Sequence, residues 1–379
     1  MNLKSATEEF LKSSKRATLA MSASKTDSKA SESKFNFGLY GLVTSLLLGS
    51  VAGINWLVDP LWYSHGNILT GKNFAFNERI TKTNLFLRTN EQKNYNCIIL
   101  GSSRVTALRV SEFSDRNCFN YALKGAEIPD FVSYSNFLQE QGVEPEVVYV
   151  GIDGFNFVEK KRKEQPPISI DSLQTQSPLQ AYLSADVLLF STMTLLGVSP
   201  DPGNYYDKNF EPVDFANPPV YDAKFYKPAS QQRCDLAPVE TYASLREFFP
   251  NAKFVAYVPP ISAWSMINDT YGRGLMDCYL TAFHNLSQSY DAVYDFSIPS
   301  TVTKNPDNTF DGSHFSVEIN NKIAKILQGK DDSFGVRVDN YSFADYRETY
   351  RRELRNFLAE NQELERWDEN SEISIDMVN

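Results

Sequence analysis

Histidine is scarce in this chain: only His65, His284 and His314 occur among 379 residues. Any chemistry that passes a proton through an imidazole must use one of these three. The four cysteines, Cys97, Cys118, Cys234 and Cys278, show no C-x-x-C spacing and no nearby histidine pair. That argues against a zinc site, and neither a metal nor a cofactor is expected. Two disulfides and four buried thiols both remain compatible with the spacing. Positive charge is also in short supply, with 37 basic against 47 acidic residues and a net charge of −10. Phosphate binding needs a basic face, so nucleic acid is not an expected partner. No segment repeats at a solenoid period.

Charge is missing altogether from 35–58, a run of 24 residues. As a helix, its stretch from Phe37 to Val58 would be roughly 33 Å long, which matches the hydrocarbon core of a bilayer. The 34 residues before it carry +3, so the rest of the chain carries −13. Lysines precede the apolar run, and Trp56, Trp62 and Tyr63 fall where an interfacial aromatic belt would lie. These features predict an uncleaved single-pass anchor in the inner (plasma) membrane, with a cytoplasmic N-terminus and a periplasmic or otherwise extracytoplasmic main domain. A cleaved leader would have a shorter apolar core and a small-residue cleavage site, which Asp59-Pro-Leu-Trp-Tyr does not offer. Residues 1–34, rich in Ser, Lys, Ala and Thr, read as a disordered cytoplasmic tail.

Beyond a membrane-proximal segment (59–95), short apolar runs alternate with helical patterns. The runs begin at Cys97, Cys118, Glu146, Lys253 and Ala292. Near-continuous apolar stretches of this length suit strands covered on both faces. Helical spacing lies around Ser111–Asp115, Ile128–Gln141, Val239–Phe249, Thr270–Ser289 and Val317–Leu327. The alternation predicts an α/β domain over 96–330 with an open, mainly parallel sheet flanked by helices. Residues 159–234, broken by Gln165-Pro-Pro and Asn217-Pro-Pro, read as an insertion or lid. Tyr350, Leu354, Phe357 and Leu358 recur at helical spacing, so 331–379 should hold an amphipathic helix and a tail.

In such a sheet, ligands sit beyond the carboxyl ends of the strands. The residues found there are Gly101-Ser102-Ser103-Arg104, Lys124-Gly125, Asp153-Gly154-Phe155-Asn156 and, near the end of the domain, Asp311-Gly312-Ser313-His314. His284 lies inside a helical pattern and His65 close to the anchor, so His314 is the histidine left in a polar loop. A serine at one strand end and Asp-x-x-His at another supply a nucleophile, a base and a group that orients the base.

Gly101-Ser-Ser-Arg and Asp311-Gly-Ser-His resemble the first and last blocks of the SGNH (GDSL-like) hydrolase superfamily. They are most similar to its membrane-anchored branch, which serves O-acetylation of exported polysaccharides and D-alanylation of teichoic acids in the bacterial envelope. The resemblance spans about residues 70–330 and implies an SGNH/flavodoxin-like fold with a catalytic triad of Ser103, His314 and Asp311. It implies an oxyanion hole from the Ser103 and Gly125 N–H groups. Asn156 is the approximate substitute for the family's asparagine, since the usual Gly-x-Asn-Asp block is absent. Arg104 is a candidate for holding an anionic sugar or lipid phosphate, with a surface or capping role as the alternative. The implied activity is acyl transfer or ester hydrolysis on cell-envelope polysaccharide. Its partners would be an acyl donor, a saccharide acceptor and a membrane-bound protein that exports the acyl group. A catalytically inactive SGNH-fold assembly protein of an envelope polysaccharide complex is the other reading.

Overall fold

A computed structural model describes residues 37–159, 177–199, 205–214, 219–228 and 230–368. The expected N-terminal tail lies outside these residues. The chain divides into two units, 1–47 and 48–379, and the apolar helix α1 (Phe37–Val58) crosses their boundary. This helix is long and apolar enough to cross a membrane. The second unit holds the sheet and the candidate site.

The Asp59-Pro60 step ends α1. The Asp59 carboxylate, fully buried, accepts the N–H groups of Tyr63, Ser64, His65 and Gly66 at 2.6–3.0 Å and folds the chain back at the helix end. A two-residue strand β1 (Asn73–Phe74) leads into α2 (Glu78–Lys93), capped by the Asn77 side chain. The sheet then begins with β2 (Cys97–Leu100) and β3 (Cys118–Asn120), followed by α3 (Ile128–Glu140) and β4 (Val147–Gly151). The insertion contributes α4 (Pro178–Tyr182), α5 (Ala185–Leu196) and β5 (Tyr205–Tyr206). After it come α6 (Pro238–Ser244), β6 (Lys253–Val258), α7 (Met276–Leu286), β7 (Ala292–Asp295) and α8 (Val317–Leu327). A short β8 (Val336–Arg337), α9 (Phe343–Glu360) and α10 (Leu364–Asp368) complete the described chain.

The main sheet runs β3-β2-β4-β6-β7-β8, parallel throughout except for β8. Its five parallel strands therefore follow the doubly wound order 2-1-3-4-5, whose switch point lies between β2 and β4. Alternate strand residues feed two cores. Ile98, Leu100, Val148, Val150 and Phe254 pack beneath α2, α3, α6, α7 and α9. Cys97, Ile99, Tyr149, Val255 and Tyr257 pack against α8 and the loop after β2. The expected covering of both faces is thus observed, and the antiparallel edge strand β8 was not foreseen.

Several elements differ from the sequence reading. The pattern at Ser111–Asp115 makes only one 3-10 turn, Val110–Glu112. Before α7 the chain forms a wide π turn over Met266–Tyr271, so the helix starts at Met276 rather than Thr270. Helices α2 and α5 were not expected. All four cysteines are oxidised, as Cys97–Cys118 and Cys234–Cys278, which removes the buried-thiol alternative. Helix α9 lays Tyr346, Tyr350, Leu354, Phe357 and Leu358 into the first core, so its apolar face is covered by the domain itself.

The insertion is closed at its base. Val158 bridges to Cys234, and the Glu159 N–H donates to the Arg233 carbonyl at 2.9 Å. The Cys234–Cys278 disulfide pins that base to α7, while β5 pairs with β1.

Candidate active site

The loop after β2 places Ser103 at the carboxyl edge of the switch point. It is a tight turn: the Val105 N–H donates to the Ser102 carbonyl at 3.0 Å, and the Thr106 hydroxyl donates to the Ser103 carbonyl at 2.7 Å. Val105 drops between β2 and β4, where Gly101 and Gly151 make room for it. A Cβ on either glycine would come within 2.4 Å of the Val105 side chain. Small residues at the ends of both strands are therefore what seats the turn.

Asp311 and His314 lie in the loop before α8, held by a bridge between Thr309 and Phe315 and by Gly312, whose φ of +86° suits glycine. His314 Nε2 lies 2.8 Å from Ser103 Oγ, and His314 Nδ1 lies 2.6 Å from Asp311 Oδ2. The other Asp311 oxygen accepts the backbone N–H groups of Ser313 and His314, each at 2.8 Å. With Nδ1–H donated to the carboxylate, Nε2 is left to accept the serine proton. Burial alone would raise the Asp311 pKa. The hydrogen bond and charge of His314, with the two backbone N–H groups, outweigh it and hold the carboxyl at about 2. The Phe310 ring lies parallel to the imidazole, 5.5 Å away between centroids.

Among the described residues, the N–H groups of Ser103 and Gly125 bond to no protein acceptor, and Gly125 adopts a φ of +64°. Neither is therefore committed to the protein, whereas Asn156 is. It is buried, its Nδ2 donates to the Tyr242 hydroxyl at 2.9 Å, and its Oδ1 accepts the Ile128 N–H. Asn156, expected as an oxyanion donor, is thus held by its amide in the core beneath α3 and α6.

Arg104, expected as a holder of an anionic group, is bound on several sides by the protein. Its Nη1 bonds Asp153 at 3.0 Å, its Nη2 donates to the Pro259 and Pro260 carbonyls at 2.8 and 2.7 Å, and its Nε donates to the Ser313 carbonyl at 3.3 Å. Asp153 is fully buried, and an unpaired carboxylate there would be costly. The guanidinium therefore neutralises Asp153 and clamps the serine loop to the histidine loop, while Arg104 also lines the cavities beside Ser103.

Ser103 and His314 stand between two cavities. One, of about 740 Å³, is walled by Tyr205, Tyr206, Val213 and Tyr221 of the insertion, with Lys124 and Asp307 opposite. The other, of about 300 Å³, is lined mainly by apolar side chains, among them Val258, Ile261, Met276, Tyr279, Leu280 and Phe283. The insertion wall is fixed by hydrogen bonds from Tyr206 to Glu78 at 3.0 Å and between Tyr221 and Ser262 at 2.9 Å. Sequence reading missed these tyrosines because nothing local marks them. Their partners lie some 40 to 130 residues away. Among the described residues no cluster of His, Cys, Asp or Glu is arranged to hold a metal ion.

No protein-family model matches this chain, and no curated protein matches it significantly.

Proposed function

We propose that this protein is an SGNH-type serine acyltransferase or esterase, anchored by α1 in the plasma membrane and acting outside the cytoplasm on cell-envelope or exported polysaccharide. The carrying observation is the unbroken line from Ser103 Oγ through His314 to Asp311, at 2.8 and 2.6 Å, on a strand order that brings ligands to this edge. Ser103 Oγ attacks the carbonyl of the acyl donor while His314 Nε2 takes its proton. The Ser103 and Gly125 N–H groups receive the oxyanion. Each such donor is typically worth about 3 kcal/mol in the transition state. Collapse expels the donor's leaving oxygen, which takes the proton back from His314. A saccharide hydroxyl, or water, then gives its proton to His314 and attacks the acyl-serine, and His314 returns that proton to Ser103 Oγ as the acyl–serine bond breaks.

The two cavities suit the two partners. The larger cleft under the insertion has room for a saccharide acceptor, and the smaller chamber, lined mainly by apolar side chains, has room for the acyl group. Disulfides persist in oxidising compartments, which supports placing the domain outside the cytoplasm with the N-terminus inside. Anchoring favours transfer over free hydrolysis, because tethering beside a membrane protein that delivers the acyl group raises the local donor concentration.

The bonds that tie the Asn156 amide to Tyr242 and Ile128 favour the second reading, an assembly protein that keeps the fold without turnover. One pair of measurements separates the two. Release of p-nitrophenol from p-nitrophenyl acetate should fall by at least about 10³-fold in Ser103→Ala, and a fluorophosphonate should label Ser103. Turnover unchanged by the substitution overturns the enzyme reading, and absence of both turnover and labelling supports the assembly protein.

A further inference from the structure

Helix α5 has its polarity inverted for a helix in water. The side chains it turns inward are Val187, Ser191 and Thr194, while Leu189 and Leu196 remain 57% and 72% exposed. Leu179, Leu183, Leu195 and Val198 add to the same exposed apolar surface. Between 177 and 199 the only residue charged at neutral pH is Asp186. A helix facing water normally buries its leucines and exposes its hydroxyls.

Its attachment sets its depth. Asn55 of α1 is buried; its Nδ2 donates to the Tyr182 and Ser184 carbonyls at 2.8 and 3.2 Å, and its Oδ1 accepts the Ser191 hydroxyl at 2.9 Å. Tyr182 also donates its hydroxyl to Asp59 at 3.2 Å, and Leu61 packs with Ala181 and Val187. Asn55 stands three residues before the end of α1, about 5 Å along the axis. If α1 spans a bilayer, Asn55 lies near the boundary of hydrocarbon and headgroups, and whatever binds it lies there too.

We propose that α5 lies in the outer interface of the membrane beside α1, with Leu189, Leu195 and Leu196 among the lipid acyl chains. The domain then touches the bilayer at two places rather than hanging from one helix, as interfacial helices do in peripheral enzymes. The insertion that carries α5 also carries the tyrosine wall of the large cleft, so this contact fixes that cleft relative to the membrane. The proposal rests on the spanning role of α1 and is independent of catalysis.

All native cysteines are in disulfides, so a single added thiol can be labelled selectively. The full-length protein would carry a nitroxide at Leu189→Cys, Leu196→Cys, Leu47→Cys in α1 or Glu318→Cys on α8. Each variant would be placed in nanodiscs of phosphatidylcholine and phosphatidylglycerol, and collision with oxygen compared with collision with a water-soluble nickel chelate. The expected ratio of oxygen to nickel collisions at 189 and 196 is several-fold higher than at 318 and approaches that at 47. Nickel access at 189 and 196 with lipid exposure at 47 overturns the proposal alone. Nickel access at all four positions overturns the anchor as well. Shielding of 189 and 196 from both quenchers also overturns it, because a second copy or another protein then covers the face. If Leu189→Cys fails to fold, the more exposed Leu196→Cys decides.

Discussion

The four contacts of the Arg104 guanidinium explain why an arginine follows Ser103. One reaches the buried Asp153 and three reach carbonyls of two other loops, which a lysine, with a single point charge, cannot reproduce. Arg104→Gln leaves the Asp153 carboxylate buried and uncompensated, and its Oδ2 already lacks a partner. We expect a loss of about 3–5 kcal/mol, read as a lowered urea midpoint, with part of it recovered in Arg104→Gln/Asp153→Asn. Asp311 makes a different prediction, about pH. Its folded pKa of about 2 lies below the unfolded value of 3.8. Ionised Asp311 therefore stabilises the fold above about pH 4, and the contribution is lost as pH falls from there toward 2. Its side chain is 42% exposed, so screening keeps the effect modest. In urea unfolding at a series of pH values, the margin of the native protein over Asp311→Asn should shrink across that window. At neutral pH the same substitution should lower turnover by about 10⁴-fold, because the carboxylate no longer fixes the imidazole tautomer. Ser103, Asp311 and His314 were legible because histidine is scarce and only His314 sits in a polar loop after a strand. The role of Arg104 was not, because three of its partners are carbonyls, which no residue identity announces.

At the scale of elements, legibility followed the apolar runs. The five parallel strands stood out because both faces of the sheet are covered, leaving nearly uninterrupted apolar letters. Helix α2 escaped because its buried positions include Thr81, Lys82 and Thr83, which break the helical period. Lys82 is held there by the Ala122 carbonyl, and burial lowers its pKa to about 8. Helix α5 escaped for the opposite reason, since its leucines face outward. The apolar chamber was also out of reach, because its walls come from β6, the π turn, α7 and α9, which only the fold assembles. Its volume of about 300 Å³ is about twice that of an engineered cavity able to hold benzene. An acyl group of several carbons therefore fits, and Ile261, half-buried on its wall, is the position at which to test it. In Ile261→Trp, kcat/KM for p-nitrophenyl hexanoate should fall by at least about 10-fold more than that for the acetate, since excluding even one methylene from such a pocket is worth about 1–3 kcal/mol. Equal losses for both esters would place the acyl chain in the wide cleft instead.

For the whole molecule, the two disulfides act at opposite ends of the sheet. Cys97 and Cys118 face each other at the amino ends of β2 and β3, away from Ser103, whereas Cys234–Cys278 secures the base of the insertion that walls the cleft. The separations they close are 21 and 44 residues, a factor of about two. In the chain-entropy account each bond contributes about 3–4 kcal/mol, and doubling the loop adds only about 0.6 kcal/mol. Cys97→Ser/Cys118→Ser and Cys234→Ser/Cys278→Ser should therefore lower the urea midpoint by similar amounts. Against a total stability of about 5–15 kcal/mol, either loss is substantial, so the protein should be markedly weaker in a reducing compartment. Activity should separate what stability does not. Opening the first bond leaves the serine loop and the insertion in place, so turnover below the unfolding range should persist. Opening the second frees the insertion from α7 and loosens Tyr205, Tyr206 and Tyr221 over the cleft, so KM for a saccharide acceptor should rise while hydrolysis of a small ester changes little. Equal acceptor KM in the two variants would show that the β1–β5 pairing and the Tyr206–Glu78 bond hold the cleft wall without the disulfide.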